Sequence, residues 1–196
     1  PPLYDLAAGG EEREERAVRR LVVTEFVSLD GVVEDPSWTL PYWNDEIAAF
    51  KAEETSASDA LLLGRVTYEG FAAAWPKREG DGAEYFNGVR KYVVSKTLKE
   101  PLEWNNSTLI GADLAQEIAD LKRQAGTDIT VHGSPTLVRT LMRHDLVDRY
   151  RLLVYPLVLG GGKRLFEGGV PARLRLSESR VLGPEVVALV YEPVRG

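Results

Sequence analysis

The chain has 196 residues, of which 44% are hydrophobic and 28% are charged, a composition typical of folded globular proteins and not of disordered chains. Its formal net charge of −6 argues against a general nucleic-acid binder, and its lack of cysteine excludes disulfides, thiolate metal sites and cysteine nucleophiles. Because no apolar run approaches the roughly 18 residues of a membrane span and residues 1–20 lack a signal-peptide core, we expect a cytoplasmic protein without membrane or nucleic-acid partners.

The first 20 residues differ in composition from the rest of the chain. Between Glu11 and Arg20 nearly every residue is Glu or Arg, so the charges cancel and no apolar face is available for packing. We therefore predict a solvated charged tail over residues 1–20, followed by one folded domain over residues 21–196.

The remainder alternates between strand and helix patterns. Short runs rich in β-branched and aromatic residues predict strands at Leu21–Leu29, Ala60–Leu63, Lys91–Ser95, Thr108–Ile110, Asp128–His132 and Tyr150–Val158. Helical spacing and capping residues predict helices after Asn44, Thr67, Asp113 and Ser134. Two final runs, near Leu174–Leu182 and Val186–Glu192, flank Gly183–Pro184 and predict an antiparallel hairpin. This order predicts an α/β fold with a mixed, mostly parallel sheet, helices on both faces and a C-terminal antiparallel hairpin.

Two strand-to-helix junctions could bind a phosphate group. The first is Leu61–Thr67, where Gly64 would let a ligand approach the backbone and Arg65 and Thr67 offer donors. The second is Asp128–Pro135, where Gly133 and the free N–H groups at the start of the next helix could hold a pyrophosphate. Each segment is equally compatible with a turn glycine followed by a capped structural helix.

Other catalytic motifs are poorly matched. His132, Gly133 and Ser134 suggest a hydrolase, but the G-x-S-x-G pattern is missing, and Pro135 has no N–H to serve as an oxyanion donor. The Gly160–Lys163 segment fails the P-loop pattern, and the two histidines of the chain are too isolated to indicate a metal site.

A carboxylate near aromatic residues is a further candidate. Glu46 begins a helix after Tyr42 and Trp43, and desolvation there would raise its pKa and suit proton donation. The alternative is an N-terminal glutamate that the helix dipole favours, with the aromatic residues belonging to the core.

The order of motifs resembles the dihydrofolate reductase-like superfamily, in particular the branch that contains the reductase domain of riboflavin biosynthesis. The resemblance is carried by four stretches in the expected order: Phe26–Gly31, Leu63–Glu69, Tyr92–Thr97 and Val131–Gly162. It implies a three-layer fold of that class, NADPH as the cofactor and a homodimer.

The resemblance also implies roles for individual residues. The cofactor would be bound by Gly64, Arg65, Thr67, Ser95, Lys96, Gly133, Ser134 and Thr136, with Arg65 favouring the 2′-phosphate of NADPH. Asp30 would border the nicotinamide, and Glu46 would take the place of the substrate carboxylate, with adjacent Asp45 as its competitor. Trp38, Tyr42 and Trp43 could line the substrate pocket.

These residues together predict an NADPH-dependent reductase of a small heterocyclic or carbonyl substrate, similar to dihydrofolate reductase or to 5-amino-6-(5-phosphoribosylamino)uracil reductase. One alternative is a dinucleotide- or ligand-binding protein with the same fold that catalyses no reaction. The second alternative is a hydrolase that uses Ser134 and His132.

Overall fold

A computed structural model describes residues 18–80, 82–168 and 170–195. Within these ranges no helix has the length and apolar character needed to cross a membrane. Most of the predicted charged tail, residues 1–17, lies outside the described residues. Arg19, which falls in the same predicted tail, is buried: its Nε donates a hydrogen bond to the carbonyl oxygen of Thr127 at 2.8 Å, and its guanidinium pairs with Asp59.

Eight strands form one sheet. They are β1 (Leu21–Ser28), β2 (Ser58–Gly64), β3 (Arg90–Val94), β4 (Ser107–Ile110), β5 (Asp128–His132), β6 (Arg149–Tyr155), β7 (Leu174–Leu182) and β8 (Val186–Pro193). Their order across the sheet is β4-β3-β2-β5-β1-β6-β8-β7. All neighbours from β4 to β6 are parallel, whereas β8 is antiparallel to both β6 and β7. The predicted mixed sheet with a C-terminal antiparallel hairpin is confirmed.

Five α-helices connect the strands. They are α1 (Asp45–Ser56), α2 (Arg65–Ala74), α3 (Ala83–Gly88), α4 (Leu114–Arg123) and α5 (Pro135–Arg143). A 3-10 helix over Pro36–Tyr42 stands where the sequence predicted an aromatic loop. The strand predicted to reach Val158 ends at Tyr155.

The helices cover both faces of the sheet. Alternate residues of β2 show why: Leu62 packs with α4 and α5, whereas Leu61 and Leu63 pack with α2 and α3. Helix α1 adds Ile47 and Phe50 to a further cluster against β6 and β8. Because both faces are covered, the central strands are apolar almost throughout, as in other buried parallel sheets.

Helix capping follows the sequence prediction in two of three places. The side chain of Asn44 accepts hydrogen bonds from the N–H groups of Glu46 and Ile47, both at 3.0 Å, and Asp113 accepts from the N–H of Gln116 at 3.2 Å. Ser134, predicted as an N-cap, makes no capping bond to α5 and has a φ of 62°. Its hydroxyl turns instead towards the neighbouring junction.

Candidate active site at the β2–α2 and β5–α5 junctions

The two glycine junctions lie against each other. The N–H of Gly64 donates a hydrogen bond to Ser134 Oγ at 2.9 Å, and Ser134 Oγ donates to Thr67 Oγ1 at 2.8 Å. A Cβ added at Gly64 would lie 3.2 Å from Ser134 Oγ, and one added at Gly133 would lie 3.2 Å from Thr67 Oγ1. Glycine suits both positions, because a side chain at either one would crowd the side chain of the opposite junction, and Gly133 also has a positive φ of +54°.

A cleft of about 1420 Å³ opens beside these junctions. Its walls come from both junctions, from β1 and α1, and from the segments around Val33 and Lys163. A second hollow of about 540 Å³ lies next to it, bordered by the ends of β3 and β4 and the start of α4. The two share Gly64, Arg65 and Thr136 as lining residues, so together they form one elongated site at the carboxyl ends of the parallel strands. Ligands of open α/β sheets commonly bind at this edge.

All eight residues predicted to bind the cofactor line this elongated site. Those in the large cleft are Gly64, Arg65, Thr67, Gly133, Ser134 and Thr136, and those in the smaller hollow are Ser95 and Lys96. Arg65 is half-exposed and pairs with Glu69 one helical turn away, with 2.9 Å between Nη1 and Oε2. Such exposed pairs contribute little stability, so the guanidinium can exchange Glu69 for a ligand at low cost.

Of the three aromatic residues predicted to line the substrate pocket, one is in the cleft. Trp43 lines it and makes an edge-to-face contact with Phe26, with 6.5 Å between ring centroids. Trp38 and Tyr42 are not among the lining residues; they pack edge-on against the buried ring of Tyr155, at 5.5 and 5.7 Å. The structure thus packs these two, partly buried, against the cluster of α1, β6 and β8, because the 3-10 helix brings them onto Tyr155.

The predicted proton donor Glu46 lies outside the cleft lining. Its Oε2 accepts a hydrogen bond from the N–H of Gly183 at 2.9 Å, in the turn between β7 and β8. Neither Glu46 nor the adjacent Asp45 lines the large cleft. The helix face that reaches the cleft carries Ala48, Lys51 and Ala52 instead, and the predicted role of Glu46 has no support from this geometry.

Asp30 holds a loop instead of facing the cleft. Its carboxylate accepts hydrogen bonds from Ser28 Oγ at 2.7 Å and from the N–H groups of Leu159 and Gly160 at 3.1 and 2.9 Å. These hydrogen bonds, that of Ser28 first, lower the pKa of Asp30 to about 2. Asp30 also lies 3.5 Å from the guanidinium of Arg164, so it fixes the glycine-rich segment after β6 to the end of β1.

Replacing Asp30 with asparagine is expected to destabilise this loop in a pH-dependent way. Because the folded-state pKa lies below that of the unfolded chain, the carboxylate contributes stability above pH 3.8 and loses it as the pH falls towards 2. The stability difference between the wild type and Asp30→Asn, measured by urea unfolding, should therefore shrink over that range. A difference that stays constant with pH would show that ionisation of Asp30 does not matter.

A group of buried charges lies beneath the cleft, and the sequence analysis did not identify it. Glu54 of α1 accepts a hydrogen bond from Thr24 Oγ1 at 2.7 Å, pairs with Lys51, and lies 3.3 Å from Nε of Arg151. Burial would raise the pKa of Glu54, but the charge of Lys51 and the hydrogen bonds from Lys51 and Thr24 outweigh it and lower the pKa. Glu54 is therefore ionised and serves as a counter-ion that Lys51 and Arg151 share.

His132 ends β5 at the floor of the cleft. Its ring packs against Phe71 and Phe86, with centroids 6.0 and 5.3 Å away, and burial lowers its pKa to about 3. Ser134 Oγ reaches the carbonyl oxygen of His132 at 3.2 Å, not its ring. An imidazole with so low a pKa is a weak base, and it makes no hydrogen bond to the serine hydroxyl, so the geometry gives no support to the hydrolase alternative.

Glu25 of β1 is a second buried carboxyl group that the sequence analysis missed. It lines the large cleft, its side chain is 5% exposed, and burial raises its pKa well above the usual value. The sequence signal is an acidic residue in the middle of a strand that is mostly apolar. Such a residue would ordinarily be assigned to a solvated face.

Comparison with known proteins shows what the chain is similar to. Residues 19–188 match the family described as the RibD C-terminal domain. The uncharacterized protein YyaP of Bacillus subtilis is 28% identical over 179 residues, which cover 88% of this chain and 94% of that protein.

Solved structures resemble the fold at lower sequence identity. A pyrimidine reductase-like protein of Corynebacterium diphtheriae superposes with a TM-score of 0.67 at 13% identity, over 91% of this chain and 93% of that one. Dihydrofolate reductase of Enterococcus faecalis, solved with NADP(H), gives a TM-score of 0.64 at 14% identity, over 90% of this chain and 97% of that one. The predicted dihydrofolate reductase-like fold is confirmed.

Proposed function

Because this chain belongs to the RibD C-terminal domain family, we propose that it is an NADPH-dependent reductase of a small heterocyclic substrate, pyrimidine- or pterin-like, that carries a C=N or C=O bond. The observation that carries the proposal is the hydrogen bond between Gly64 N and Ser134 Oγ. It joins two strand-to-helix junctions at one cleft, so both can contact the same dinucleotide.

The residues of the elongated site fit such a cofactor. The starts of α2 and α5 both border the large cleft, and backbone N–H groups at helix N-termini favour phosphate oxygens. We assign the pyrophosphate to Gly133 and Thr136, and the adenosine end to the smaller hollow beside Ser95 and Lys96. When bound, NADPH supplies the hydride, and the protein orients the substrate beside it.

The other part of the cleft suits a flat, uncharged ring. Trp43, Phe71, Trp75 and Phe86 supply aromatic wall, and alanines of α1 leave space between them. The rings of Trp75 and Phe86 stack on each other, with 4.0 Å between their centroids. Aromatic faces of this kind bind planar heterocycles by stacking.

Replacing Arg65 with alanine is expected to weaken NADPH binding about 10- to 100-fold, the effect of losing a charge-assisted hydrogen bond to phosphate. NADH lacks the 2′-phosphate, so its affinity should hardly change. Binding is measured by the nicotinamide fluorescence of each cofactor during titration. Arg123→Ala is the matched control, since this exposed arginine pairs with Asp120 on α4, outside both hollows.

Comparing the affinities for NADPH and NADH shows whether Arg65 contacts the 2′-phosphate. An equal loss for NADPH and NADH would refute the assignment of Arg65 to the 2′-phosphate. Failure of the wild type to bind either cofactor would refute the reductase proposal.

Turnover is tested by following NADPH oxidation with 7,8-dihydrofolate, 5-amino-6-(5-phosphoribosylamino)uracil and 1,4-naphthoquinone. We expect oxidation with a compound that has a C=N or C=O bond in or next to a planar ring. Tight NADPH binding without oxidation by any of the three would favour the alternative of a ligand-binding protein on this fold.

A further inference from the structure

Glu25 occupies an unusual place for a charged residue. It lies on β1 between the parallel neighbours β5 and β6, in the middle of an eight-stranded sheet that helices cover on both faces. Its side chain is 5% exposed and lines the large cleft. Strand β5 pairs with β1 only up to Thr24 opposite His132, so Glu25 is the first residue beyond that ladder.

The carboxyl group of Glu25 has a buried oxygen that receives no hydrogen bond. Among the residues that the structure describes, none donates to its buried Oε1. A buried carboxylate without donors is costly, and the group reduces this cost by keeping its proton. The surroundings are therefore those of a neutral carboxylic acid.

Two neighbouring charges shift the pKa of Glu25 in opposite directions. The ammonium of Lys51 favours the ionised form, whereas Glu54 opposes it. Lys51 is already shared, because its Nζ pairs with Glu54 and donates to Thr24 Oγ1 at 3.0 Å. His132 is uncharged at neutral pH, since burial lowers its pKa to about 3. The net result is a pKa for Glu25 well above its usual value, with burial as the main cause.

We propose that Glu25 is the proton donor of this cleft, and that the substrate accepts the proton on the nitrogen of a C=N bond or the oxygen of a C=O bond. This inference rests on the proposed reductase function. The carbon of the double bond accepts the hydride that NADPH supplies, the π bond breaks, and its electron pair takes the proton from the Glu25 carboxyl. Glu25 is left as a carboxylate, which regains a proton from water, so atoms and charges balance.

The geometry also explains why other carboxyl groups do not take this role. Glu46 is engaged by Gly183, and Asp30 is held ionised by its loop. Glu54 lines neither hollow and is ionised by its cationic partners. Among the described acidic residues that line the large cleft, Glu34 pairs with Lys163, and Asp35 is exposed on the adjoining turn. Within residues 18–80, 82–168 and 170–195, Glu25 is the one acidic residue that combines burial, a place in the cleft wall and a carboxyl oxygen without a donor.

The first measurement is infrared spectroscopy of the free protein, which needs no substrate. The difference spectrum between the wild type and Glu25→Gln at neutral pH should contain the C=O stretch of a protonated carboxylic acid. Glu84→Gln, an exposed substitution on α3, is the matched control and should show only a carboxylate loss. A carboxylate signal for Glu25 at neutral pH would overturn the proposal.

The second measurement follows NADPH oxidation with whichever of the three test compounds the wild type reduces fastest. Glu25→Gln should bind NADPH as the wild type does but oxidise it about 100-fold more slowly or worse, the usual contribution of a general acid. The wild-type rate should fall as the pH rises through the pKa of Glu25, and this decline should be missing from Glu25→Gln. Equal rates and equal pH profiles for the two proteins would overturn the proposal.

The infrared and kinetic measurements together distinguish failure of the proposed role of Glu25 from failure of the proposed reductase function. If neither protein binds NADPH, the reductase proposal fails, whereas the infrared result still reports the protonation of Glu25. If both proteins bind and oxidise NADPH alike, the reductase proposal stands and the role of Glu25 is refuted.

Discussion

Replacing Glu54 with glutamine is expected to lower the free energy of unfolding by about 3–5 kcal/mol, the usual cost of removing one member of a buried ion pair. Glu54 is 4% exposed and faces two cations, Lys51 and Arg151, whose side chains are themselves largely buried. The amide of glutamine would bring N–H donors towards cationic donors, and it would remove the buried negative charge that Lys51 and Arg151 share. Urea unfolding at neutral pH measures the effect.

The neighbouring residue provides the control. Glu53 is half-exposed on the same helix. It pairs with Arg180 at 2.8 Å on the protein surface, and its Oε2 lies at the longer distance of 3.9 Å from Nη2 of Arg151. Because exposed ion pairs contribute at most about 1 kcal/mol, Glu53→Gln should change stability little. Similar losses for the two variants would mean that the charges beneath the cleft are solvated and that Glu54 is not their counter-ion.

Replacing Gly133 with valine is expected to abolish tight NADPH binding, with an affinity loss of at least about 100-fold. The backbone of Gly133 has a φ of +54°, which a β-branched residue adopts only with strain. Its new Cβ would lie 3.2 Å from Thr67 Oγ1 and push the two junctions apart. Loss of two charge-assisted hydrogen bonds to the pyrophosphate, at about 1.5–3 kcal/mol each, accounts for this magnitude.

Gly168→Val is the control that distinguishes the effect of backbone strain on stability from the loss of NADPH binding expected for Gly133→Val. Gly168 has a similar φ of +60°, but a Cβ there would meet no described atom within 4 Å, and it does not line the cleft. Both variants should lose about 1–3 kcal/mol of stability through strain. Titration with NADPH should show the affinity loss only for Gly133→Val, and an unchanged affinity in that variant would refute the pyrophosphate assignment.

The positions of most strands and helices could be predicted from the sequence because they depend on local patterns. Runs such as Leu61–Leu63 are apolar at every position, which is typical of a strand buried on both faces. Asn44 and Asp113 mark helix starts because a capping side chain bonds N–H groups two or three residues ahead. The two glycine junctions were recognisable for the same reason, since the turn and the helix that follows are close in sequence.

The roles of the carboxyl groups could not be predicted from such patterns. Asp30 was chosen from the family resemblance and Glu46 because it begins a helix near aromatic residues, but their partners Gly160 and Gly183 are 130 and 137 residues away. Trp38 and Tyr42 were placed in the pocket because aromatic residues suit a ligand, whereas the 3-10 helix directs them onto Tyr155. A sequence pattern defines which face a residue occupies, not what lies opposite that face.

By itself the sequence determined the class of fold and the two junctions that face the cleft, because periodicity and turn chemistry act over a few residues. Only the tertiary structure decided that Glu25 is buried and that Glu54 is the shared counter-ion of Lys51 and Arg151. Glu25 is on a central strand because β5 and β6 pair on either side of β1, and Arg151 reaches Glu54 from 97 residues away. Burial and charge pairing depend on strand order and helix placement, which involve the whole chain.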